Sequence, residues 1–345
     1  MSSKYSGYSR REFLKLGGAA LGGGALSTLG YPVFKRVQQP LAKVTVLKAA
    51  SYGEDLYDVI RRGLQNYPNV LARVKNGRVL LKPNIVDHYP NHPVNTHPVF
   101  IAATAAAFYH FGATEVIVGE GPGHRRDSEM LLELSGVGDA LKQEKLRFVD
   151  LNLDAISKVA LKSSYTGLSH MFFPNTVLGA DLVVSLPKLK THHWAGVTLS
   201  MKNMFGTVPG VKYGWPKNFL HWHGISESII DINNTIQPGF AIIDGVEGMD
   251  GDGPLHGNVV HSGVIVMGDQ LTAVDATAAR VMGIHPENID YLMHFLNFGG
   301  TINNGRIQQL GENIADVQQE FAVLPHMAFI KQPYPILRKI LLLGW

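Results

Sequence analysis

The sequence predicts an α/β fold, a mainly parallel sheet with helices on both faces. Three observations predict it. Short β-branched runs alternate with helical patterns along the chain, which is the order a parallel sheet with crossover helices requires. Its 345 residues are enough for a large core, as one big domain or two lobes. Polar residues collect directly after the strand runs, where open parallel sheets gather their ligands.

The strand runs are KVTVLKA, RVLLKPN, TEVIVGEG, RFVDLN, DLVVSLPK, FAIIDG and SGVIVMGD. The helix runs are EDLYDVIRRGLQNY, HPVFIAATAAAFYHFG, SEMLLELSG, ISESIIDINNTI, LTAVDATAARVMG and PENIDYLMHFL. In the fourth of these, Ile225, Ile229, Ile232 and Ile236 recur at helical spacing, so one stripe faces a core. These elements divide the chain into an N-terminal segment at 1–36, an α/β body at 41–325 (as two lobes, about 41–175 and 176–325) and an apolar tail at 326–345. The tail, PYPILRKILLLGW at its end, is too short to span a bilayer and is expected to dock on the body or graze a membrane.

The N-terminus reads as an address. Arg10 and Arg11 in SRREFLK precede a weakly apolar, Ala/Gly-rich run without charge until Lys35, which matches a twin-arginine signal. The implied partner is the twin-arginine export machinery. The implied location is the periplasm or the outer face of the cytoplasmic membrane. The nearest cleavage motif is the poor ALS at 25–27, which leaves the segment able to persist as a membrane tether. That route exports folded proteins, so it favours a cofactor inserted beforehand.

Composition narrows the chemistry. There is no cysteine, so an iron-sulfur cluster, a disulfide and a thiolate zinc site are excluded, and any metal must sit on His, Asp, Glu or backbone oxygen. Net charge is +3, and the first thirty residues hold four basic side chains and one acidic, so the body is near neutral and lacks the basic face that nucleic acid requires. A small-molecule ligand is the expected partner. No G-x-S-x-G, Walker loop, G-x-G-x-x-G or H-E-x-x-H is present, which removes the usual support for serine hydrolase, NTPase, dinucleotide oxidoreductase and zincin readings.

Five of the seven strand runs end in charge or imidazole, and this points to one shared site. After the strands come Lys82 and Asn84, then Glu120 with His124, Arg125 and Arg126 in a Gly/Pro turn suited to anion binding and acid–base work. Next come Lys188, Lys190, His192 and His193, with Lys202 and Asn203 ten residues on; Trp194 and Met201 supply an apolar wall that shifts nearby pKa values. His221 and His223 are two apart, a spacing that aligns them on a strand but not on a helix, and are metal candidates together with Asp244 and Glu247. The loop holding Asp250, Asp252 and His256 lacks EF-hand spacing; a hard cation, a substrate hydroxyl or a solvated Gly-Asp loop all fit it. Asp269 ends the last strand run.

From LLKPNIV through VGEGPGHRR, LPKLKTHHWAGVTLSMKNMFGTVPG, YGWPKNFLH, IDGVEGMDGDGP and AVDATAARVMGI, the chain resembles the domain-of-unknown-function 362 family over nearly all of the body. GPGHRR followed by THHWAGVTLSMKN also resembles, more remotely, a motif pair of the nickel-dependent lactate racemases. That resemblance implies His124 and His192 as an acid–base pair, with His193 beside it, Lys202 as the tether of an organic pincer cofactor, and His221 as the nickel-binding histidine. Where those racemases carry Gly-Gly before the lysine, this chain has Leu199, Ser200 and Met201. The implied activity is that of a racemase or related isomerase on a small hydroxy acid or sugar-like carbon. A metal- or anion-binding accessory protein of the cell envelope and a metal-dependent hydrolase are the alternatives.

Overall fold

A computed structural model describes residues 42–123 and 127–333. The N-terminal signal with Arg10 and Arg11, the turn residues His124, Arg125 and Arg126, and the end of the tail from residue 334 lie outside the described residues. Among those described, the strands are β1 (Ala42–Lys48), β2 (Arg78–Pro83), β3 (Glu115–Glu120), β4 (Arg147–Asp150), β5 (Ile156–Ala160), β6 (His170–Pro174), β7 (Leu182–Leu186), β8 (Lys188–His192), β9 (Gly196–Thr198), β10 (Phe240–Asp250), β11 (Asn258–Val260), β12 (Val264–Gly268) and β13 (Ile307–Gly311).

Eleven of these strands form one sheet, with the order β13-β1-β12-β10-β7-β2-β3-β4 along its main path. From β10 to β4 every pairing is parallel. β12 runs antiparallel to both β1 and β10, and β13 rejoins β1 in parallel. The sheet is therefore mixed but mostly parallel, and the seven strand runs read from the sequence all lie on its main path. β7 sits between β2 and β10, so strands from either side of residue 175 share this sheet.

The central strands are mostly apolar and, apart from Arg78 at the start of β2, buried, because both faces are covered. Successive residues split between the two faces. Val79, Leu81, Ile242 and Met267 pack with Phe100 and Phe108 on one side. Leu80, Ile243 and Val266 pack with Ile229, Ile232 and Ala276 on the other. All six helix runs contain helices, among them Leu56–Leu64, Pro98–His110, Ile225–Ile236 and Leu271–Val281. The stripe through Ile229 and Ile232 faces the core, and the tail's Met327 and Ile330 dock on it.

Two local devices set up the site. Pro187 separates β7 from β8, and β8 then pairs with β10 across a register shift between Asp244 and Met249. β8 next turns back on β9 through a three-residue loop closed by Gly196, whose φ of 81° lies in the left-handed region that glycine tolerates. The short helix Ser200–Asn203 follows, and the buried carboxylate of Asp275 holds its first turn, accepting from the Ser200 N–H at 2.7 Å, from the Met201 N–H at 3.0 Å and from the Ser200 hydroxyl.

Candidate functional site

A cavity of about 490 Å³ opens at the carboxyl ends of β2, β3 and β8. Lys82, Asn84, Glu120, Lys190, His192, His193, Lys202, Asn203, Lys217 and His221 line it, with Phe205, Gly206 and the tryptophans 194 and 222. The two tryptophans are 65% and 80% exposed and stand at its mouth. Of the polar residues singled out in the sequence, the structure thus brings nine into one concavity from four separate stretches.

Four lysines and one carboxylate share this space, and the lysines divide into two kinds. Lys82 is saturated: its ammonium donates to Glu120 at 2.7 Å, to the Pro83 carbonyl at 2.7 Å and to Asn203 Oδ1 at 2.9 Å. Glu120 also accepts from the backbone N–H groups of Ile85 and Gly121. The pair is 1% and 2% exposed. Asn203 closes the network by donating to the Lys82 carbonyl and to Ser185 Oγ. Gly206 makes room for it, since a Cβ there would lie 2.3 Å from Glu120 and 2.4 Å from the Lys82 amine. Lys217, held at a φ of 69°, gives all three of its N–H groups to the carbonyls of Gly121, Phe205 and Gly206. Burial lowers its amine to about 7, with Glu120 opposing that shift and Lys82 and Lys202 adding to it.

Lys202 and Lys190 are the other kind. Among the described residues Lys202 has no hydrogen-bond or ion-pair partner; its ammonium stands 4.9 Å over the Phe205 ring. Burial and the neighbouring Lys82 hold it at about 8, Glu120 pulling the other way. Lys190 donates to the carbonyls of Val94 at 2.7 Å and Pro254 at 3.3 Å, which leaves one N–H and no bonded carboxylate. Burial, then Lys202, Lys188 and Lys82, push its amine well below the lysine range. Cations exceed anions here, so the cavity is electrostatically prepared for an anionic ligand.

His192 is 6% exposed and accepts at Nδ1 from the backbone N–H groups of Trp194 and Ala195. Burial, then Lys202, His193, Lys190 and His221, drive it far below the ordinary histidine pKa. His193 lies 3.6 Å from Asp252. Asn84 presents a buried Oδ1 without a partner.

The remaining sequence candidates go elsewhere. Lys188 lies on β8 but binds Asp244 at 3.0 Å and the Tyr52 hydroxyl, in a separate buried cluster. Asp244 further accepts from Tyr52 and from the His97 N–H, and Tyr52 stacks on His97 at 3.7 Å. Lys188 is therefore an internal counterion rather than a wall of the main cavity. The metal set of His221, His223, Asp244 and Glu247 is not assembled: among the described residues no three His, Asp or Glu side chains are placed to hold an ion. The reasons are local. Asp244 is consumed by its three donors, and Glu247 faces His261 at 3.6 Å. His221 lies in the helix Asn218–Trp222 and His223 caps it, so the two diverge, and His223 Nδ1 bonds the Thr166 carbonyl. Asp250 anchors the backbone N–H of Ala322 and the amide of Asn258.

Lys217, Gly206, Tyr52 and Asp275 were not singled out in the sequence. Asp275 alone left a signal, a carboxylate on the small-residue stripe of LTAVDATAARV, where only a buried partner satisfies it.

The thylakoid-associated protein sll1697 of Synechocystis sp. is 27% identical over 257 residues, covering 71% of this chain and 76% of that protein. The lactate racemase apoprotein from Thermoanaerobacterium thermosaccharolyticum superposes with a TM-score of 0.45 at 14% identity, over 71% of this chain and 58% of that one. A Thermotoga maritima protein solved by structural genomics gives a TM-score of 0.32 at 13% identity, over 56% and 50%. This chain therefore spans between half and three fifths of the length of those two solved chains. Residues 79–280, more than half of the sequence, match the family model described as Domain of unknown function (DUF362), and the protein belongs to that family.

Proposed function

We propose that the protein is an enzyme that carries an organic, electron-withdrawing cofactor on Lys202 and inverts or isomerises a small hydroxy acid or sugar-like carbon. One observation carries this reading: the Lys202 amine, at about 8 and unbonded among the described residues, lines a cavity with three histidines. An amine that stays partly unprotonated near neutrality, with no carboxylate holding it, is a nucleophile suited to covalent attachment. Lys82 and Lys217 spend all their donors internally and Lys190 two of three, so Lys202 is the amine best able to accept such a group.

The surroundings fit a tethered group. Leu199, Ser200 and Met201, which replace two glycines and a variable residue of the racemase motif, are fully buried and absent from the cavity wall, so their side chains do not fill it. The volume suits a ring-sized cofactor beside a small acid. Such a group, when bound, supplies the electron sink that inversion of an unactivated carbon needs. The chain's own residues would neutralise the substrate's carboxylate with Lys190 and the cavity's positive excess. Phe205 and the two mouth tryptophans would limit water. The metal-dependent hydrolase reading gets no support from the described residues. A nickel ion would have to draw most of its donors from the organic group, since of the two metal-candidate histidines, His221 and His223, only His221 lines the cavity.

Intact-mass analysis of protein purified from its native host tests this reading. An adduct that maps to Lys202 and disappears in Lys202→Arg supports it; an unmodified Lys202 in active protein sinks it. We further propose export on the twin-arginine route and a position on the outer membrane face or in the periplasm. No described helix is long and apolar enough to cross a membrane, and the tether we propose is the N-terminal segment. Fractionation of Arg10→Lys/Arg11→Lys against wild type checks this, with retention in the cytoplasm as the expected result.

A further inference from the structure

The turn after β8 fixes the chemistry of His192. His192 pairs with Gly196 across the hairpin, and its ring folds over the loop so that Nδ1 lies 3.1 Å from the Trp194 nitrogen and 3.2 Å from the Ala195 nitrogen. A backbone N–H can only donate, so Nδ1 must be the acceptor in both bonds. A neutral imidazole that accepts at Nδ1 carries its proton on Nε2. No described residue accepts from Nε2, and the ring forms part of the cavity wall.

The alternatives are costly. Protonating Nδ1 would set an N–H against two others, break both bonds and leave the buried Ala195 donor unpaired, at roughly 1–3 kcal/mol, with the partly buried Trp194 donor beside it. It would also add a charge facing Lys190 on the same strand, His193 in the loop, Lys202 from the helix Ser200–Asn203 and His221 from the helix Asn218–Trp222; Glu120, at the end of β3, already serves Lys82. Removing the Nε2 proton would make an imidazolate, which is not a species of neutral solution. A ring confined to one tautomer can give a hydrogen bond but cannot take up a proton.

We infer that His192 is a fixed, neutral hydrogen-bond donor that binds an oxyanion of the ligand, a carboxylate or alkoxide oxygen, in the cavity that Lys190 and Lys202 also line. It is then an oxyanion-orienting residue, and the acid–base work falls to other groups. The inference rests on the proposed reading only in taking the ligand to be a small acid; the tautomer itself does not depend on it.

Nitrogen-15 labelling of the 15 histidines provides the test, with His192→Gln assigning the resonance. The expected spectrum has an unprotonated Nδ1 and a protonated Nε2 at His192, unchanged from pH 5.5 to 8.5. Oxalate, as the probe anion, should shift the Nε2 proton downfield. His192→Gln, which keeps an N–H at similar reach, should bind oxalate within about threefold of wild type. His192→Ala should lose at least tenfold, about 1.4 kcal/mol. Titration of the ring within that pH range, an Nδ1–H tautomer, or a glutamine variant as weak as the alanine one would each overturn the inference. If the variants do not fold, side-chain to backbone correlation in the wild type still reads the tautomer. A missing Lys202 adduct would remove the cofactor reading and leave this result standing, so the two failures are distinguishable.

Discussion

Lys82 and Lys202 border the same cavity, yet the protein treats them oppositely. Lys82 is locked to Glu120, Asn203 and a carbonyl, with even the neighbouring backbone thinned to Gly206 to admit the pair. Lys202 has an aromatic face and no acceptor among the described residues. Burial disfavours both charges, but only Lys82 is compensated. A buried charge that is fully paired is architecture; one left without a partner costs stability and is kept where a ligand will meet it.

The largest effect should come from breaking the compensated site. Glu120→Ala leaves the Lys82 ammonium buried without its counterion, held only by the Pro83 carbonyl and Asn203, and should lower unfolding free energy by about 3–5 kcal/mol in urea titrations. A loss under 1 kcal/mol would mean that Lys82 is already neutral in the folded protein. A second prediction sharpens the contrast through pH. Lys202 and Lys217 sit at about 8 and 7 when folded against an ordinary 10.5. Between roughly pH 8 and 9.5 the unfolded chain therefore holds protons that the folded chain lacks. Stability should rise with pH there, by at most about 1.4 kcal/mol per unit for each such amine. Above about pH 10 the sign reverses, because buried Tyr52, Tyr67 and Tyr291 keep protons that the unfolded chain releases. Chemical denaturation at stepped pH reads both slopes, and Lys202→Met should flatten the first.

Asp275→Asn gives a smaller effect. It replaces an acceptor-only carboxylate with an amide that must aim an N–H at the start of the helix Ser200–Asn203, and should cost about 2 kcal/mol. Because Lys202 rides on that helix, its rate of modification by an amine reagent should change as well. The smallest stability effect belongs to Lys202→Met itself. Removing an uncompensated charge should leave the unfolding free energy within about 1 kcal/mol of wild type, or raise it. A loss as large as that of Glu120→Ala would show that Lys202 has a structural partner and would end the distinction drawn here.

Much of this was legible in the sequence. The parallel-sheet strands announced themselves because strands covered on both faces must be apolar along their length, and Val79 to Leu81 or Leu182 to Leu186 can be little else. The convergence of Lys82, Glu120, Lys190 and His192 followed from the rule that polar residues at the carboxyl ends of such strands face a common space, whereas Lys202 and His221, which lie on short helices, were picked out through the resemblance to the racemase motif. The grouping failed where polar residues were equally placed but already partnered. Lys188 is two residues from Lys190 on one strand, and the pairing of β8 with β10 sets Asp244 beside the first and Met249 beside the second. Lys217 was invisible because its burial arises from the left-handed backbone after Pro216, not from a pattern. β9 has only three residues and β8, Lys188–His192, is mostly polar, so neither shows the apolar run by which the other strands are read.

Two of the four indoles in this chain, Trp194 and Trp222, flank the cavity mouth, and Trp215 packs against the nearby Gly210. Any ligand entering must displace water from rings whose emission responds to solvent. The molecule thus carries a built-in optical gauge of its own occupancy, and unlabelled compounds can be screened against it by fluorescence before the reaction is known.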